Sequence, residues 1–286
     1  MKKKFKIMIA LVVVAAVALG GVAAVLILKR TYASADGIVS IAESKKENRY
    51  VMPIKLIAHR GFSAIAPENT LAAMDAAATA AFYGAEFDVR LSADGEWFAM
   101  HDDDVSRMTD GEGLISGMTS EEIGKLTIDA GNNVIQHENE KVPTAREMLT
   151  AAVAGKLRPV VEIKTAGADE KYYEALADMI VEIAGSDYTV ISFDLDALKQ
   201  MRKFLPEGEL WLLSSKVTVE QIRSCADAGI DGLDFNAGHL LNHRYIDDIL
   251  DAGLIAAAWT VDNIPLTDRL YTKGVYFITT NYIQPA

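Results

Sequence analysis

Residues 158–192 read RPVVEIKTAGADEKYYEALADMIVEIAGSDYTVIS. An apolar run at Arg158–Ile163, a helical stretch over 169–184 and a second run at Tyr188–Ser192 form one strand–helix–strand unit. The first run is apolar nearly throughout, as parallel strands are when helices cover them. The alternation continues both ways. Upstream lie candidate strands at Ile54–Ala58 and Gly84–Arg90, with helices near 69–81 and 144–154. Downstream lie candidate strands at Glu209–Leu213, Ile230–Asn236, Leu254–Thr260 and Gly274–Thr279, with helices near 194–204, 218–228, 242–252 and 264–272. Alternating strand and helix predict a parallel sheet. Eight strands in a chain of 286 residues predict an α/β fold closed as a TIM (β/α)8 barrel, rather than an open doubly wound sheet.

One connection is too long for a simple turn. About forty residues without a strong apolar period separate His101 from Thr144, and loops of that length are usually functional or small subdomains. The spacing predicts an insertion after strand two, over about 103–143, in a barrel domain spanning 51–286.

The N-terminus has a different character. Residues 7–28 read IMIALVVVAAVALGGVAAVLIL without a charge. At 1.5 Å per residue, that helix spans roughly 30 Å, the thickness of a bilayer core. This predicts a single transmembrane anchor, followed by a tether over 29–50. A cleaved signal peptide competes, because Ala33-Ser34-Ala35 resembles a cleavage site. The basic residues in 1–6 place the N-terminus in the cytoplasm and the barrel outside the cell membrane. Cleavage near Ala35 would instead release it as a secreted protein.

Residues 31–286 carry 22 basic and 40 acidic groups, a formal charge of −18. Such a surface excludes nucleic-acid binding through net charge. An anionic substrate then needs a metal ion or local cations. Cys225 is the sole cysteine, so neither an intramolecular disulfide nor a thiolate zinc cluster can form. Its place in a helical stretch predicts a packing role.

Active sites of TIM barrels lie at the C-terminal ends of the strands. His59-Arg60-Gly61 follows strand one, Glu86 and Asp88 end strand two, and its extension leads to His101-Asp102. Glu162 and Lys164 end strand three, Asp234 and Asn236 strand six, Trp259 strand seven, and Thr280 and Asn281 strand eight. Residues two apart on a strand share a face, so Glu86 with Asp88 and Glu162 with Lys164 can point into one mouth. Three converging carboxylates suit a hard divalent cation, Ca²⁺ or Mg²⁺. Arg60 and Lys164 could hold phosphate oxygens, and His59 and His101 titrate near neutrality, as an acid–base pair requires. Each part has a plainer alternative. Asn69 or Thr70 could simply cap a helix, Trp259 could fill the barrel, and His137, His239 and His243 read as structural.

HRGFSAIAPENT (59–70), EFDVRLSADGEWFAMHD (86–102), the insertion opening DDVSRMTDGEGLISGMTSEEIGKL (103–126), VPTAREML (142–149), VEIK (161–164) and AWTVDN (258–263) together resemble the glycerophosphodiester phosphodiesterases. The resemblance runs from about Ile54 to Asn281. It implies that Glu86, Asp88 and Glu162 bind the metal and that His59 and His101 are general acid and base. It also implies that Arg60 and Lys164 contact the phosphate, that Trp259 packs against the glycerol, and that Glu68 supports the site or begins a helix. The expected reaction is hydrolysis of a small-molecule glycerophosphodiester to glycerol 3-phosphate and an alcohol. A phospholipase-like or wall-polymer phosphodiesterase on the same barrel is the alternative, with a non-catalytic glycerophosphate binder behind it. Which histidine is base, and which oxygen attacks, stay open. Two positions depart from the family pattern. Thr280-Asn281-Tyr282-Ile283 stands where Thr-Asp-x-Pro is usual, and Asp262 where Asn is usual. Both are read as lying outside the core chemistry.

Overall fold

A computed structural model of the chain describes residues 38–40, 54–165 and 167–285. Eight parallel strands form its centre: β1 (Lys55–Ala58), β2 (Gly84–Leu91), β3 (Arg158–Ile163), β4 (Thr189–Ser192), β5 (Glu209–Ser214), β6 (Gly232–Asn236), β7 (Ile255–Trp259) and β8 (Phe277–Thr280). Each pairs with its sequence neighbour, and β1 pairs with both β8 and β2. That last pairing closes the ring, as the sequence predicts. One main helix lies in each interval between successive strands: α1 (Leu71–Thr79), α2 (Ala145–Ala154), α3 (Glu170–Ala184), α4 (Leu195–Phe204), α5 (Val219–Asp227), α6 (Ile246–Asp251) and α7 (Ile264–Tyr271); the insertion adds a four-residue helix, Ser120–Ile123.

The strand period of two sorts the side chains into layers. On β2, Ala85, Phe87 and Val89 turn outward into the core shared with the helices. Glu86 and Asp88 therefore turn into the barrel. The interior below them is filled by Ile57, Val160, Ile191, Trp211, Leu213, Ala257 and Phe277. The Phe277 ring packs edge-on against Trp211 at 4.9 Å and Tyr83 at 6.0 Å. The barrel is thus solid at its base and polar at the C-terminal end.

Local chemistry starts the helices where expected. Thr70 caps α1 by accepting from the Ala73 N–H, while Thr144 with Glu147 and Thr218 with Gln221 form reciprocal capping boxes on α2 and α5. Other boundaries differ. The last strand begins at Phe277 instead of Gly274, because Gly274 and Val275 still close the end of α7 through Tyr271 and Leu270 carbonyls. The helix expected from 242 begins at Ile246. Before it, Asn242 is pinned to Val217, Ser215 and Asn236, which holds the chain in a tighter 3-10 turn.

The insertion follows a short antiparallel strand, Trp97–Ala99, paired with Val89–Leu91 of β2. It has a small core of its own in Phe98, Met100, Val105, Met108, Ile115, Ile123, Ile128 and Val142. Within the stretch read as a tether, Val39–Ser40 pairs in parallel with Ile283–Gln284. Among the described residues no helix is long and apolar enough to cross a membrane. The run 7–28 and the site near Ala35 lie outside the described residues.

Candidate active site

The loop after β1 makes a left-handed turn at Arg60 (φ 57°) and Gly61 (φ 71°). A Cβ on Gly61 would stand 2.7 Å from the Ala73 backbone carbon, so only glycine lets the turn press against α1. The Arg60 N–H donates to Glu86 Oε2 at 2.7 Å and the Gly61 N–H to the Glu86 carbonyl at 2.9 Å. The turn is thereby fastened to β2, and His59 is carried to the mouth.

Glu86, Asp88 and Glu162 are buried, each with an oxygen within 4.8 Å of those of the others. Lys164 Nζ lies 3.1 Å from Asp88 Oδ1 and 2.7 Å from Glu162 Oε1. Burial opposes ionisation of Asp88, but Lys164 and then Arg60 hold its carboxyl well below the usual range. Burial and the neighbouring Asp88 push Glu86 far up and Glu162 to about 8. Three such groups cannot all ionise cheaply without a cation. Glu86 Oε1 is buried and accepts no hydrogen bond. An all-oxygen set with an orphaned carboxylate oxygen fits Mg²⁺ or Ca²⁺.

His59 Nδ1 lies 2.8 Å from Asn281 Oδ1, and its Nε2 is 4.0 Å from Glu86 Oε2. His101 Nδ1 lies 2.6 Å from Asp102 Oδ1. Burial lowers the affinity of both rings for a second proton. Asp102 also accepts from Arg107 Nε, and Arg107 Nη2 reaches Glu68 at 2.6 Å. Glu68 in turn accepts from Arg60 Nη1 at 2.8 Å. A chain of alternating charges thus runs from His101 through the insertion to Arg60.

His59, Arg60, Glu86, His101, Glu162, Lys164 and Trp259 all line one cavity of about 220 Å³. Asp88 sits behind it against Lys164. The far wall is apolar: Ile191, Phe193, Leu213 and Trp259, with Phe193 and Trp259 edge-to-face at 5.5 Å. A larger groove of about 650 Å³ runs past Leu71, Lys141 and Glu147; among the described residues the carboxylate cluster that could hold a metal is Glu86, Asp88 and Glu162, which lies at the other cavity. His243 donates its Nε2–H to the Ala237 carbonyl, 2.8 Å away, a structural histidine as expected.

Two features escape a reading of the sequence, the role of Asn69 and the pair behind His59. Asn69 is not the helix cap. It is buried at φ 56° and clasps Asp88, donating to Oδ2 at 2.7 Å and accepting from the Asp88 N–H at 3.0 Å. Asp234, which the sequence places at the end of strand six, lines the cavity with Oδ1 unpartnered, its carboxyl pushed well up by burial and by Glu162. Asn281 and Asp262, read as lying outside the chemistry, stand directly behind His59. Asp262 accepts from the Asn281 N–H at 2.7 Å, Asn281 Nδ2 at 2.9 Å and Thr280 Oγ1 at 3.0 Å. The departure from the expected pattern at both positions was itself the available signal.

Residues 59–284 match the glycerophosphoryl diester phosphodiesterase family. A glycerophosphodiester phosphodiesterase of Caldanaerobacter subterraneus subsp. tengcongensis is 30% identical over 240 residues, covering 80% of this chain and 95% of the relative. Among solved structures, an Oleispira antarctica phosphodiesterase in complex with the product sn-glycerol-3-phosphate superposes with a TM-score of 0.71 at 28% identity, over 82% of this chain and 95% of that one. A glycerophosphodiester phosphodiesterase from Parabacteroides distasonis gives 0.65 at 27% identity, over 80% and 94%. With its barrel closed and its acidic and basic groups gathered at the strand ends, the chain belongs to the glycerophosphoryl diester phosphodiesterase family and is an enzyme of that class.

Proposed function

We propose that the chain hydrolyses glycerophosphodiesters to glycerol 3-phosphate and an alcohol, with His59 and His101 as the acid–base pair. The observation that carries this reading is that both histidines line one cavity, each held from behind at Nδ1, with the acidic trio beside them. One ring takes the proton of the attacking hydroxyl as its oxygen bonds to phosphorus. The other delivers a proton to the alcohol oxygen as its bond to phosphorus breaks. Arg60, its guanidinium fixed by Glu68, and Lys164 neutralise the non-bridging oxygens. Trp259, held by its Nε1–H on the Asp234 carbonyl at 3.2 Å, forms the glycerol wall. A Ca²⁺ or Mg²⁺ ion held by Glu86, Asp88 and Glu162 would supply Lewis-acid stabilisation of charge on the phosphoryl group. Residues 7–28 would anchor the chain in the cell membrane with the barrel outside, or be cleaved near Ala35.

The test is release of glycerol 3-phosphate from glycerophosphocholine, glycerophosphoethanolamine and glycerophosphoglycerol by the full chain in detergent, with Ca²⁺, Mg²⁺ or a chelator. Cation-dependent release supports the reading. No release from any diester by folded protein counts against it.

A second reading has its own observation. Phe193, Val219, Leu240 and Leu241, on the segments that follow β4, β5 and β6, expose large apolar side chains. An apolar margin at the strand ends suits a substrate that keeps an acyl chain. Faster turnover of a lysophospholipid than of glycerophosphocholine, reversed by Leu240→Ser with Leu241→Ser, would favour it.

A further inference from the structure

The Asn281 amide can face His59 in two ways, and only one leaves the imidazole useful. With Oδ1 toward the ring, Nδ1 must carry the proton, and Nε2 presents its lone pair to the cavity. With Nδ2 toward the ring, Nδ1 must accept, Nε2 carries the proton, and the cavity meets a donor. Asp262 decides between them. Its Oδ1 already accepts the Asn281 N–H and the Thr280 hydroxyl, and its Oδ2 lies 2.9 Å from the Asn281 amide nitrogen. A carboxylate only accepts, so it pulls Nδ2 to its own side. Oδ1 then turns to His59 Nδ1 at 2.8 Å and to Ser63 Oγ at 3.3 Å, two groups that can donate.

We propose that Asp262 and Asn281 act as a positioning pair that fixes the tautomer of His59, with protonated Nδ1 and acceptor Nε2. The arrangement inverts the pattern expected from the sequence resemblance, which has a carboxylate at 281 and an amide at 262. Here the amide touches the histidine and the charge stands one residue further back. An amide alone in that position would leave the tautomer undetermined. The aspartate makes it competent.

The inference rests on the proposed role of His59, and its test separates the two. Histidine-¹⁵N-labelled full-length protein in detergent is examined by two-bond ¹H–¹⁵N correlation at neutral pH, with the His59 signal assigned by its loss in His59→Gln. Wild type should show Nδ1 protonated. In Asp262→Asn the introduced amide keeps its oxygen on the Asn281 N–H and the Thr280 hydroxyl. Its nitrogen then faces Asn281 Nδ2, and the Asn281 amide must turn over. The His59 signal should switch to the Nε2-protonated form. On glycerophosphocholine, kcat should fall by roughly 10²-fold or more, the scale of a lost acid–base group, with KM little changed. The double variant Asp262→Asn/Asn281→Asp restores one carboxylate and one amide in exchanged places. It should regain the Nδ1-protonated signal and most of kcat. Thermal melts confirm that each variant is folded. An unchanged tautomer in folded Asp262→Asn overturns the proposal, as does a double variant with the Nε2-protonated form. Because the signal needs no turnover, it decides the matter even if no diester is hydrolysed.

Discussion

His101 is backed by a carboxylate and His59 by an amide, although both rings line the same cavity. Removing either ring should lower kcat by about 10²–10⁴ with the fold intact. Near-full activity in both His59→Ala and His101→Ala would end the assignment. Asn69→Ala should leave Asp88 without its clasp and weaken divalent-cation affinity, by about 10–100-fold on the scale of lost outer contacts to a metal ligand. Titration calorimetry with Mg²⁺ or Ca²⁺ reads this directly, and unchanged affinity would refute it. Glu86, Asp88 and Glu162 were legible in the sequence because a period of two along a strand fixes which side chains share a face. Asn69 and Asn281 were not. The partner of Asn69 lies 19 positions away and that of Asn281 lies 222 positions away, and no local pattern encodes such contacts.

The element most exposed to disruption is the loop between β1 and α1. It is held from one side by β2 and from the other by the insertion, whose Asn132 and Asn133 donate to the Ser63 and Ile65 carbonyls. Gly61→Ala forces a side chain into a left-handed backbone against Ala73. The left-handed geometry alone costs about 1–2 kcal/mol, so the melting temperature should drop and activity fall with it. A neutral outcome would mean that the loop relaxes freely. The helices expected near 144–154 and 218–228 start on local capping chemistry, Thr144 with Glu147 and Thr218 with Gln221. The small core of the insertion was not legible in the sequence, because Val105, Ile115, Ile123 and Val142 are spaced by turns and follow no single period.

For the molecule as a whole, eight strands alternating with seven helices were enough to predict a closed ring. Closure itself depends on the β1–β8 pairing, which joins the two ends of the barrel sequence. The acidic mouth also gives stability a pH dependence. The Glu162 carboxyl is pushed up to about 8 in the folded chain, from an ordinary value of 4.5. Between those values the folded state holds a proton that the unfolded chain has lost, so stability falls as pH rises from about 5 to about 8. Melts in chelator should show that decline, and Mg²⁺ or Ca²⁺ should raise the melting temperature most at the alkaline end. A chelated protein that grows more stable across the window would contradict the assignment. Cys225 has a different kind of consequence. It is buried in α5, and burial pushes its thiol up to about 11, so the folded chain is mute to maleimides at neutral pH. A thiol introduced by Ser186→Cys, at an exposed turn after α3, would be the sole reactive group in the folded chain. Whether a membrane-impermeant maleimide tags it in intact cells would then report on which side of the membrane the barrel resides.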